Sequence, residues 1–145
     1  MSVANVLLVD DEAEFIETFS ERLELRNLEI SKAFSGEEAL EELGKTHTIE
    51  VVILDVKMPG MDGMETLRAI KREFPIVEVI MLTGHGTRET ALEGLKAGAS
   101  DYLVKPADID ELIKKSEEAF DRRLKLEEKI MMAQSVKNTE STEKF

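Results

Sequence analysis

The sequence predicts an α/β fold, a five-stranded parallel sheet with five helices on its two faces, from three observations. Short apolar runs alternate strictly with segments whose apolar residues recur at helical spacing, the pattern that puts crossover helices between parallel strands. The third run, Ile49 to Leu54, is β-branched and apolar on both faces, as a strand covered from both sides must be. The 145 residues suit one domain with a short appendage, and no internal repeat suggests another architecture.

The elements follow in order. Val6 to Val9 is too short for a helix and reads as a buried strand ending in Asp10 and Asp11. From Glu12, Phe15, Ile16, Phe19 and Leu23 mark an amphipathic helix. Leu28, Ile30, Ala33 and Phe34 outline the second strand; Ser35 and Glu38 form a capping box for a helix carrying Ala39, Leu40 and Leu43, which Gly44 should end. The third strand terminates in Asp55. The turn formers Met58-Pro59-Gly60 and Asp62-Gly63 follow, and Met64, Leu67 and Ile70 resume helical spacing as far as Pro75. Val77 to Leu82 is the fourth strand, ending at Thr83; Gly84-His85-Gly86 leads to a helix with Ala91, Leu92 and Leu95, closed by Gly98. Tyr102, Leu103 and Val104 make a short fifth strand stopped by Lys105 and Pro106. Asp108 and Glu111 resemble a cap for the fifth helix, from about Ile109 to beyond Ile130. Polar residues dominate from Ser135, which predicts disorder.

Composition narrows the chemistry. Nineteen basic against 31 acidic residues give a net charge of −12, which argues against nucleic-acid binding by this chain, since phosphate backbones are held mainly by Lys and Arg. Residues 123–145 hold five basic and four acidic side chains, a net +1, so the first 122 residues carry −13. The absence of cysteine excludes disulfides, thiolate metal sites and cysteine nucleophiles and makes the cytoplasm the expected compartment. No transmembrane helix or signal peptide is predicted.

In open α/β sheets, ligands bind beyond the carboxyl ends of the strands. There the sequence places Asp10 and Asp11 after the first strand, Asp55 after the third, Thr83 after the fourth and Lys105 after the fifth. Singly, each has a bland reading: Asp11 could cap a helix, Asp55 could start a turn, Thr83 could cap, and Lys105 could be a solvated charge. Their coincidence at matched strand ends argues for a site. Adjacent carboxylates repel unless a cation compensates, and hard oxygen donors without His or Cys select Mg²⁺, which leaves room for phosphoryl oxygens. A carboxylate beside such an ion is a competent nucleophile toward phosphorus.

The segments LLVDDE, VVILDVKMPGMDG, MLTGHG and DYLVKP, in this order and spacing, resemble the receiver domain of two-component response regulators over about residues 4 to 122. The resemblance implies a flavodoxin-like, doubly wound sheet of order 2-1-3-4-5. It also implies a non-enzymatic phosphoacceptor that assists its own phosphorylation and dephosphorylation. Asp55 would accept a phosphoryl group from a phosphohistidine of a sensor kinase or phosphotransfer protein. Asp10, Asp11, Asp55 and the backbone carbonyl of Lys57 would hold Mg²⁺. Lys105 and Thr83 would contact the phosphoryl oxygens, and Tyr102 would be the aromatic switch, acting through the fourth helix, fifth strand and fifth helix on an unnamed downstream protein. The family places a cis peptide at Lys105-Pro106. Lys57 and His85 flank the expected site and are candidates for tuning phosphoryl lifetime, whereas His47 has no evident partner.

Other classes fit less well. A haloacid-dehalogenase-like phosphatase needs a second Asp where Lys57 stands, and a flavodoxin needs a Ser/Thr/Gly-rich loop where Asp10, Asp11 and Glu12 stand. Gly44-Lys45-Thr46 is no P-loop, because Ala39 occupies the position of its first glycine. The serious alternative is an interaction scaffold never phosphorylated at Asp55. The TGHG segment is common in receivers joined to ATPase transcription activators, though no such domain follows within these residues. Leu124, Leu126, Ile130, Met131 and Met132 continue an apolar pattern past residue 122, interrupted by Arg123 and Glu127, which predicts at most a weak homodimer through a helical extension over 123–145.

Overall fold

The computed structural model describes residues 5–56, 62–84, 88–105 and 108–143. Within them strands and helices alternate as β1 (Asn5–Val9), α1 (Ala13–Glu24), β2 (Glu29–Ala33), α2 (Gly36–Lys45), β3 (Val51–Asp55), α3 (Gly63–Glu73), β4 (Glu78–Thr83), α4 (Arg88–Lys96), β5 (Asp101–Val104) and α5 (Ile109–Glu143). The strands form one parallel sheet of order β2-β1-β3-β4-β5, the expected flavodoxin-like arrangement.

Successive strand residues point to opposite faces, so the sheet feeds two apolar cores. Val6, Leu8, Val51, Ile53, Ile80, Leu82 and Leu103 meet Ile16 and Leu23 of α1 and Leu112, Ile113 and Ala119 of α5. Leu7, Val9, Val52, Leu54, Val79 and Met81 meet Ala39 and Leu43 of α2 and Leu67 and Ile70 of α3. This two-sided burial explains the continuous apolar runs of β1, β3 and β4. No helix among the described residues is long and apolar enough to cross a membrane.

The helix termini largely follow their sequence signals. Ser35 caps α2 by accepting from the Glu38 amide at 3.1 Å, while the Glu38 carboxylate accepts from the Phe34 amide at 2.7 Å. Asp62 caps α3 through the Glu65 amide at 2.8 Å, and Gly98 takes a φ of +110° beyond α4. Two endings differ from expectation. Gly44 does not end α2, which continues to Lys45; a single helical glycine costs only about 1 kcal/mol against alanine, and the preceding turns carry it. α5 continues to Glu143, past Ser135 where composition predicts disorder. No Gly or Pro follows Pro106 to break it, and polarity alone does not prevent a helix from propagating once formed.

Between β3 and α3 the backbone makes a close approach at Gly63. Gly63 N–H donates to the Val56 carbonyl at 2.9 Å, and a Cβ at Gly63 would lie 2.3 Å from Val56 Cα and 2.6 Å from the Asp55 carbonyl oxygen. Gly63→Ala must therefore displace the backbone directly behind Asp55. A loss of about 2 kcal/mol or more in urea denaturation is expected; a loss under about 0.5 kcal/mol, as at an ordinary surface position, would contradict the approach.

At the opposite edge of the sheet α5 is pinned by arginine. Arg123 is buried; its Nη1 donates to the Ile49 carbonyl at 2.8 Å and its Nε to Glu127 at 2.9 Å. Arg122 lies 3.5 Å from Glu78 at the start of β4. The interruption of the apolar pattern at Arg123 is thus a tether to the chain just before β3.

Candidate functional site

The parallel ladder brings the chosen strand ends together. Asp10 N–H donates to Ala33 O at 3.2 Å, Val56 N–H to Leu82 O at 2.9 Å, and Lys105 N–H to Thr83 O at 2.8 Å, so each strand leaves the sheet beside its neighbour. Alternation then aims side chains: Asp10, Asp55 and Lys105 share the parity of Leu8, Ile53 and Leu103, the face covered by α1 and α5.

Ligand oxygens of Asp10, Asp11 and Asp55 lie within 4.8 Å of one another. Asp10 and Asp55 are buried, at 0% and 3% exposure, while Asp11 faces solvent. Asp11 does not cap α1: Glu12 is the N-cap residue, without a side-chain cap bond, and its amide donates to Asp10 Oδ1 at 2.9 Å. The capping alternative for Asp11 is therefore not what the chain adopts. Thr83 is buried at the end of β4.

Lys105 Nζ donates to Asp10 Oδ2 at 2.7 Å and lies 3.7 Å from Asp55 Oδ1. Burial alone would depress its pKa, but the hydrogen bond to Asp10 and the charges of Asp55, Asp10 and Glu12 outweigh it, and the ammonium titrates above the ordinary lysine value. A partly buried cation thus offsets part of the carboxylate repulsion. The donor set is all oxygen, clustered and anionic, which fits a hard divalent ion such as Mg²⁺.

One member of the site was not singled out from sequence. The Phe15 ring on α1 lies beneath Lys105, with Nζ 4.5 Å from its centroid, and stacks on Phe19 at 4.3 Å. Phe15 and Lys105 are far apart in sequence, and helical periodicity explains Phe15 as a core residue; its place in the first turns after the paired aspartates is the only available signal.

Tyr102 on β5 is 37% exposed, and Val104 on the same strand and Leu92 and Leu95 of α4 are exposed as well. His47 lies toward the other edge of the sheet, lining a cavity of about 260 Å³ with Leu43, Phe74 and Arg123. Lys57, Met58-Pro59-Gly60, His85, Gly86 and the Lys105-Pro106 peptide fall outside the described residues.

Comparison with known proteins gives consistent matches. The model of the response regulator receiver domain matches residues 6–117. The transcriptional regulatory protein ZraR of Salmonella typhimurium is 36% identical over 116 residues, covering 80% of this chain and 26% of that protein. The regulatory protein AtoC of Escherichia coli is 36% identical over 111 residues, 77% of this chain and 24% of its own length. The chain thus spans about a quarter of the length of these relatives. Among solved structures, a response regulator receiver domain protein from Clostridium thermocellum superposes with a TM-score of 0.82 at 37% identity, covering 86% of this chain and 99% of that one. NtrX from Brucella abortus superposes with a TM-score of 0.81 at 31% identity, over 91% of this chain and 30% of the other.

Proposed function

Since the chain belongs to the receiver-domain family of two-component response regulators, we propose that Asp55 is its phosphoacceptor. The observation that carries the reading is the buried Asp55 carboxylate, clustered with Asp10 and Asp11 and 3.7 Å from the Lys105 ammonium. A carboxylate oxygen of Asp55 attacks phosphorus; the O–P bond forms as the P–N bond to a donor imidazole breaks, and its electron pair leaves with the ring nitrogen. The nearest donor consistent with this chemistry is a phosphohistidine on a sensor kinase or phosphotransfer protein. Asp10, Asp11 and Asp55, with the Lys57 carbonyl, would hold Mg²⁺, which supplies charge neutralisation for the phosphoryl oxygens when bound. Lys105 binds a phosphoryl oxygen from the other side, and the Thr83 hydroxyl donates to another. The chain acts as an acceptor, in the cytoplasm, without binding nucleic acid itself. The test is uptake of one phosphoryl group from a kinase or small phosphodonor in the presence of Mg²⁺, which a constitutive scaffold would not show.

Thr83 and Tyr102 form the switch in this reading. The exposed apolar side chains of α4 and β5 support the surface of α4, β5 and α5 as the output face for a downstream protein. A population shift requires contacts that differ between states, and the Thr83–phosphoryl hydrogen bond is such a contact. Thr83→Ala is therefore expected to take up phosphoryl groups at close to the wild-type rate while losing most of the amide chemical-shift response on α4 and β5. A full response in that variant would remove Thr83 from the mechanism.

Residues 1–122 constitute the receiver in this reading, and 123–145 an extension. Exposed Leu126, Ile130, Met131 and Met132 support a weak homodimer through that segment. Sedimentation should show concentration-dependent association of the full chain, strengthened by phosphorylation and lost on truncation after Arg122. Equal association of both forms would assign it elsewhere.

A further inference from the structure

Resting on the phosphoacceptor reading above, we propose that Phe15 is a positioning residue for Lys105, its ring face fixing the ammonium where it reaches both Asp10 and Asp55. Among the described residues, Asp10 Oδ2 lies 2.7 Å, Asp55 Oδ1 3.7 Å and the Phe15 ring centroid 4.5 Å from that ammonium. The carboxylates pull with unequal strength, because Asp10 is hydrogen-bonded and Asp55 is an ångström farther. The ring adds a third contact that limits where the ammonium can sit between them. An aromatic face within about 6 Å attracts a cation through its quadrupole, and neither takes a proton nor competes for a metal ion.

The ring is itself held. Phe15 stacks on Phe19 with an interplanar angle of 30° and packs against the core of the α1/α5 face, so its face direction is set from behind. The ammonium can then exchange Asp55 for new phosphoryl oxygens while keeping its place on the ring. A leucine at position 15 would preserve apolar packing but give the ammonium no directional partner.

The test uses the full chain and separates position from rate. In wild-type protein the Lys105 ε-methylene protons should resonate upfield of other lysines through the ring current, with assignment by loss of the signal in Lys105→Arg. Phe15→Leu should return them to the ordinary lysine position and slow phosphorylation by acetyl phosphate in Mg²⁺ by roughly three- to tenfold. Phe15→Tyr should restore both. Ordinary lysine shifts in the wild type, or an unchanged phosphorylation rate in Phe15→Leu, would overturn the proposal while leaving Asp55 as acceptor. No phosphoryl uptake by the wild type would overturn both readings.

Discussion

Asp55→Ala is expected to take up no phosphoryl group under conditions that fully modify the wild-type protein. The acceptor oxygen cannot be supplied by a neighbour: Asp10 is committed to Lys105 and to the Glu12 amide, and Asp11 faces solvent. The variant should still fold, because removing one carboxylate from a cluster of like charges relieves repulsion. Intact-mass measurement after incubation with a phosphodonor and Mg²⁺ checks the outcome, and base lability identifies the acyl phosphate. The same acid-stable, base-labile modification in Asp55→Ala would assign the acceptor to another residue.

The second large effect is expected at Lys105. Replacing it by methionine keeps the length of the stem but leaves fully buried Asp10 without its cation. Removing one partner of a buried ion pair costs about 3 to 5 kcal/mol, and the 18% exposure of the Lys105 side chain favours the lower end. We expect a loss of about 3 kcal/mol at neutral pH without Mg²⁺, read by urea denaturation. A loss below 1 kcal/mol would show that solvent already screens the pair.

The pH dependence of the same pair has a definite sign. The folded-state pKa of Lys105 is raised, so its stabilisation is fully present below the ordinary lysine pKa and is lost as pH rises through the higher folded value. The gap in stability between wild type and Lys105→Met should therefore hold at neutral pH and close in strongly alkaline solution.

The strand–helix alternation and the strand-end carboxylates were legible in the sequence because each of those residues directly follows an apolar run, and a parallel sheet collects such ends at one edge; the strand order came from the resemblance to the receiver family. The Phe15–Lys105 contact was not legible, since it joins a helix turn to a distant strand end and both residues have sufficient ordinary roles. Arg123 shows the converse: read as an intrusion in an apolar stripe, it is the side chain that joins α5 to Ile49. Gly44 and Ser135 misled because composition marks where a helix can stop, whereas hydrogen-bond propagation decides where it does.

The arginine tether gives α5 the geometry of a lever with its fulcrum at the sheet. Beyond Arg123 the helix runs another 20 residues to Glu143, about 30 Å at 1.5 Å per residue. The hydrogen bond from Arg123 to the Ile49 carbonyl holds the helix at that point to the chain just before β3. A tilt of about 10° around this fulcrum carries the far end of such an arm through about 5 Å, comparable to one helical turn. A tilt about Arg123 too small to alter the core would thereby change which neighbours residue 143 could meet.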